Sequence, residues 1–173
     1  MAIHAQVGIL MGSDSDLAVM QKAAEVLASF GVPYFMTVAS AHRTPDKVAE
    51  LARKAEQSGW NLIIAGAGMA AHLAGFLAAH TTVPVIGVPM GSSTLGGLDA
   101  LLSTVQMPGG IPVACMGIGS AGAKNAALFA VEVLALHDGA LKEKLQAFRE
   151  AQKQEIADKA AKVECSGPTL QDD

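Results

Sequence analysis

Charge is scarce in this chain of 173 residues: only 16% are Asp, Glu, Lys or Arg. Twelve Lys and Arg stand against 16 Asp and Glu, for a net charge of −4, and no basic block occurs. That balance argues against nucleic-acid binding, so an anionic ligand has to be held by local donors. Cysteine is limited to Cys115 and Cys165, too few and too far apart for a disulfide framework. A reduced, cytoplasmic setting is expected. Aromatics make up 4% of the chain, with one Trp and one Tyr, which gives a flavin ring little to stack on. No uncharged apolar run reaches the roughly 18 residues of a membrane span, and no signal peptide is read at the N-terminus.

What the chain has instead is apolar and small. Apolar residues make up 51%, and mean hydropathy is +0.36. Much of that is Ala, which lets helices approach closely. The remainder predicts surface buried between copies, so a homo-oligomer is expected.

Strand-length apolar runs alternate with helical stretches. Strands are read at 6–11, 34–39, 61–65, 83–88 and 111–117. Helices are read near 15–29, 45–58, 70–80, 97–104 and 121–136. The alternation predicts an α/β fold, a parallel five-stranded sheet covered on both faces. The strands are continuously apolar, as buried parallel strands are. A last amphipathic helix is read over 140–161, with Leu141, Leu145 and Phe148 on one face. Residues 1–160 thus form a single domain, with 161–173 an expected disordered tail.

In such a sheet ligands bind beyond the carboxyl ends of the strands. After the first strand comes Gly12-Ser13-Asp14-Ser15-Asp16, whose amides and hydroxyls suit a phosphate. The same residues also read as a capping box from Ser13 to Asp16. If a phosphate binds, Asp16 should face ribose hydroxyls, since two anions repel.

After the second strand comes Ser40-Ala41-His42-Arg43-Thr44-Pro45. Arg holds phosphate in two-point geometry, and an imidazole gives and takes protons near neutral pH. Thr44-Pro45 reads as a helix start with Thr as the cap. After the third strand, Gly66-Ala67-Gly68-Met69-Ala70-Ala71-His72-Leu73 matches G-x-G-x-x-A. No acid follows at the end of the next strand to hold a ribose, so a nicotinamide site is not read. His72 is either a pocket contact or a helix residue bonded to a carbonyl. A fourth loop, 103–110, carries Gln106 and a Pro-Gly-Gly turn; it either closes over a site or connects two elements. No Cys or acid cluster completes a metal site around His42 and His72, and no G-x-S-x-G elbow is present.

Together with Pro84-Val85-x-Gly87-Val88-Pro89, Ser103-x-Val105-Gln106-Met107-Pro108 and Ala121-Gly122-Ala123-x-Asn125-Ala126, these loops form an ordered set of six blocks. In them the chain resembles the bacterial 5-(carboxyamino)imidazole ribonucleotide mutases of purine synthesis, over about residues 7 to 136. The resemblance implies a flavodoxin-like three-layer αβα fold, a homo-octamer, and no metal or organic cofactor. It implies a ribonucleotide substrate whose carboxylate moves from an exocyclic nitrogen to C4 of the imidazole. It makes His42 the general acid/base and puts Ser13, Asp16, Ser40, Arg43, Gly68, His72 and Leu73 at the substrate. Arg43-Thr44-Pro45 resembles the mutase branch; the animal-type carboxylases resemble Ser-Ala-His-Lys-Gly-Pro there. Two positions depart from the pattern, Met69 where Gly is usual and Ala74 where Pro is usual. Direct carboxylation of the free amine, and a nucleotide-binding paralogue without turnover, are the competing readings.

Overall fold

A computed structural model describes residues 5–164. Five strands form one parallel sheet: β1 (Val7–Met11), β2 (Tyr34–Val38), β3 (Leu62–Ala67), β4 (Val85–Pro89) and β5 (Ala114–Cys115). Their order is β2-β1-β3-β4-β5, the flavodoxin-like order expected from the sequence. Six helices connect and cover them: α1 (Leu17–Phe30), α2 (Pro45–Lys54), α3 (Leu73–Ala78), α4 (Leu98–Val105), α5 (Gly119–Ala135) and α6 (Gly139–Glu164).

The three central strands are buried almost throughout, whereas the edge strand β2 is half-exposed. Alternate residues feed two cores. Val7, Ile9, Met11, Leu62, Ile64, Ile86 and Val88 pack toward α1, α5 and α6. Leu10, Ile63, Ala65 and Val85 pack toward α2 and α3. On α1 the buried residues are Met20, Ala23, Ala24, Leu27 and Phe30, the three-and-four spacing of one helix face. They meet the small residues Ala123, Ala126, Ala127 and Ala130 of α5. The run of alanines thus sets a close helix–helix approach. Gly66 in β3 is a notch of the same kind: a Cβ there would stand 2.5 Å from both Met20 Sδ and Met90 Cε.

Several boundaries differ from the sequence reading. The fifth strand shrinks from 111–117 to Ala114–Cys115. It pairs only with β4, and Pro112 just before it has no N–H to give a ladder. The third helix starts at Leu73 rather than Ala70, because Met69 takes φ 54 and interrupts the helical path. The second stops at Lys54, short of the expected 58, and a turn ending at Gly59 (φ 81) leads into Trp60.

The last helix runs to Glu164, so Ala161–Glu164, read as tail, are helical. The remainder of the expected tail lies outside the described residues. Leu141 N–H donates to Asp138 Oδ1 (3.0 Å) at the start of α6, and Lys144 Nζ donates to Phe30 O (3.0 Å). Phe148 meets Phe30 edge-on at 5.5 Å. From Arg149 to Glu164 every residue is exposed, yet α6 still lies along α5 at the start of that stretch: Arg149 donates to Glu132, and Gln152, Lys153 and Ile156 line a groove with Asn125 and Leu128. Among the described residues no helix is long and apolar enough to cross a membrane.

Candidate active site

The register pairs Met11 with both Val38 and Gly66, so the carboxyl ends of β1, β2 and β3 finish level. Strand order reverses around β1, and the crevice at such a switch point is where α/β sheets bind ligands. A cavity of about 520 Å³ opens there, of a size for a small organic ligand. Ser13, Asp16, Ser40, His42, Arg43, Gly68, His72 and Leu73 all line it. Every site residue expected from the sequence therefore converges on one cavity.

The first loop turns through a short 3₁₀ segment, Asp14–Asp16. Ser13 Oγ accepts from Ser15 N–H (3.3 Å) and from Ser15 Oγ–H (2.9 Å), which caps the segment. Asp16 is only 6% exposed. Burial pushes its carboxyl above the usual range, opposed by hydrogen bonds from the Ser13 N–H and the Ser15 hydroxyl. The capping box read from Ser13 to Asp16 is thus only half formed: Ser13 Oγ takes the Ser15 N–H, and the Asp16 N–H goes to Ser13 O instead.

The second loop is tied to itself and to the first. Thr44 does not cap α2 with its side chain. Its Oγ1 instead accepts from Ser40 N–H (3.0 Å) and donates to Ser40 O (3.1 Å), closing the loop into a ring; Pro45 opens the helix as read. Ser40 Oγ accepts from Arg43 N–H (3.2 Å), with Arg43 Nε at 3.5 Å. Arg43 Nη2 donates to Gly12 O (3.1 Å) and so links the two loops. This guanidinium spends two donors on the scaffold, Nε and one on Nη2, and keeps three for an anion.

His42 Nε2 lies 2.8 Å from His72 Nδ1, with the rings edge-to-face at 4.9 Å and 82°. One of the two nitrogens must carry the hydrogen, so a proton on one ring is held by the lone pair of the other. Both side chains are exposed. His72 ends in a pocket contact; the carbonyl-bonded alternative falls to His80, whose Nδ1 is 2.8 Å from Phe76 O.

The third wall is made of small residues, Ala67, Gly68 and Ala70. A Cβ on Gly68 would approach both Met90 Cβ and Ser92 Oγ at 3.2 Å. Between these small residues stands Met69, the one described non-glycine residue with positive φ. The left-handed conformation costs about 1–2 kcal/mol for an L residue. Met69 is 66% exposed, so burial returns little of it. Glycine would sit there without strain.

Ser15, part of the hydroxyl-rich first loop, and Ser92 also line the cavity; of the two, the sequence reading missed Ser92. Ser92 had a signal: it follows β4, at the same carboxyl edge. The loop read in its place, 103–110, follows a helix and so lies at the opposite edge. It lines no part of this cavity, and it serves as a connector in which Met107 packs against Gly75. Among the described residues no group of three His, Cys, Asp or Glu side chains could hold a metal ion.

The chain is similar to known proteins over most of its length. The AIR carboxylase family model matches residues 6–155. An N5-carboxyaminoimidazole ribonucleotide mutase of Pyrococcus horikoshii is 54% identical over 161 residues, covering 93% of this chain and 90% of its own length. The enzyme of that name from Escherichia coli K12 is 55% identical over 152 residues, 88% of this chain and 90% of its own. A crystal structure of Treponema denticola PurE superposes with a TM-score of 0.81 at 31% identity, over 91% of this chain and 97% of that one. With its whole domain matched and its loops converging on the switch-point cavity, the chain belongs to the AIR carboxylase family.

Proposed function

We propose that this protein is a mutase of de novo purine synthesis. It moves the carboxylate of 5-(carboxyamino)imidazole ribonucleotide from the exocyclic nitrogen to C4, giving 4-carboxy-5-aminoimidazole ribonucleotide. The observation that carries the site assignment is the His42–His72 contact at 2.8 Å, in a cavity lined also by Arg43 and by the small residues Ala67, Gly68 and Ala70. The chemistry calls for one group that first gives and then takes a proton.

In this reading Ser13, Ser40 and Arg43 hold the ribonucleotide phosphate and Asp16 accepts from ribose hydroxyls. His42 protonates the exocyclic nitrogen as the N–C bond of the carbamate breaks. The bonding pair stays on nitrogen, leaving the free amine and neutral carbon dioxide. C4, made nucleophilic by that amine, attacks the carbon dioxide and forms the new C–C bond. His42 then takes the C4 proton, and aromaticity returns. The proton lost in the first step is recovered in the last, so the enzyme ends as it began. His72 accepts from or donates to His42 and holds its ring in the working orientation. Gly68 and the buried Leu73 shape the wall on which the imidazole lies.

Turnover should appear with the carbamate substrate and be slow with the free amine plus bicarbonate. His42→Asn should lower kcat by about 10²–10⁴-fold while substrate still binds. Near-normal turnover by His42→Asn would remove the assignment, and faster use of the free amine would make the enzyme a direct carboxylase.

A homo-octamer in the cytoplasm belongs to the same reading. Leu95, Leu98, Leu102 and Val105 stand exposed at three-and-four spacing along α4 and its approach, an apolar stripe suited to burial between copies. Light scattering that gave a monomer would overturn the oligomer.

A further inference from the structure

Met69 is the one strained position in the described chain, and it falls on the cavity wall. Its neighbours there, Ala67, Gly68 and Ala70, are too small to obstruct anything. The other large apolar side chain of the lining, Leu73, is 2% exposed and forms floor rather than rim. Met69, at 66% exposed with φ 54, packs into neither core. A left-handed backbone carrying a long side chain that stabilises no core points to a use at the site.

We infer that Met69 is a retention residue: its thioether forms the apolar rim that keeps released carbon dioxide beside the ring until C4 captures it. The inference rests on the mutase reading. Carbon dioxide is neutral and apolar, so no charge or strong hydrogen bond can hold it. Only a physical barrier can favour recapture over escape. An unbranched, flexible apolar side chain supplies that barrier at a mouth otherwise lined by small and polar groups. It also admits the larger ribonucleotide by moving aside. The bonds made and broken are those of the parent reaction; Met69 changes only where the freed carbon goes.

The test supplies the carbamate substrate in medium containing ¹³C-bicarbonate and carbonic anhydrase, and reads ¹³C in the C4 carboxylate of the product. Wild type should return mostly unlabelled product. Met69→Gly should raise the labelled fraction several-fold and raise Tm by about 2–4 °C as the backbone strain is relieved. Met69→Leu, which keeps an apolar side chain of similar volume, should label like wild type. A Met69→Gly product labelled no more than wild type's overturns the inference, as does a Met69→Leu product labelled as heavily as the glycine variant's. Wild type that fails to convert the carbamate overturns the mutase reading and the inference together. Conversion with label unchanged across the three proteins overturns the inference alone.

Discussion

The two histidines at the ends of α3 differ in what their rings are bonded to. His80, just past the end of the helix, is half-buried. Its Nδ1 lies 2.8 Å from Phe76 O, and its ring stacks on Phe76 at 4.5 Å. Its polarity is absorbed by its own helix. His72, at the other end, meets a residue 30 positions earlier in the chain and faces an open cavity. The edges of the sheet repeat the contrast. At the amino edge, Thr81 Oγ1 accepts from Val83 N–H and steadies a turn. At the carboxyl edge, Arg43 reaches from one loop to the carbonyl of another, Gly12. Polar groups bonded to nearby backbone hold the fold; those bonded between loops across a cavity mark the site.

After loss of His42 itself, removing the cross-loop cation should have the largest effect. Arg43→Met should raise KM for the ribonucleotide by roughly 10- to 100-fold, as expected for loss of a charged hydrogen-bonding partner. Steady-state kinetics would read this, and an unchanged KM would place the phosphate elsewhere. Next comes the histidine pair. His72→Asn should lower kcat by roughly 10-fold, since the His42 ring loses the partner that holds it. His80→Gln should leave kcat unchanged and lower Tm by about 2–4 °C, the shift expected for about 1 kcal/mol in a domain of this size. Equal kinetic effects from the two would erase the contrast.

The smallest effect concerns Asp16. Burial raises its carboxyl above the unfolded value, so between the two values the folded state binds more proton than the unfolded chain. Stability then declines as pH rises through that window, and the loss persists above it. The Tm of wild type minus that of Asp16→Asn should therefore fall as pH rises through that window, leaving the variant modestly more stable at neutral pH while it binds substrate more weakly. A difference that grows with pH across that same window would reverse the sign and refute the burial argument.

How much of this could be read from the sequence depended on how local the cause was. β1, β3 and β4 are runs of apolar residues long enough to be buried on both faces, and composition alone marks them. β5 looked like its siblings, but an edge strand with one partner and Pro112 ahead of it cannot sustain seven residues of ladder. Ser40, His42 and Arg43 were legible because they share one loop at a strand's carboxyl end. The bond from His42 to His72 was not, because it depends on the level finish of β2 and β3. Ser92 was not legible because its loop, 91–97, carries no charged or imidazole side chain to mark it. The left-handed backbone at Met69 could be suspected only from the glycine that usually stands there.

The ring that Thr44 closes on Ser40 has a consequence for the entropy of binding. Accepting from the N–H and donating to the carbonyl of one residue, a single hydroxyl fixes the five-residue span that carries both Arg43 and His42. Ordering a free loop costs about 1–2 kcal/mol per residue. Here that cost belongs to folding, before any ligand arrives. If the proposed phosphate role of this loop holds, its donors are ordered in advance, and the energy of the contact would remain available to tighten binding.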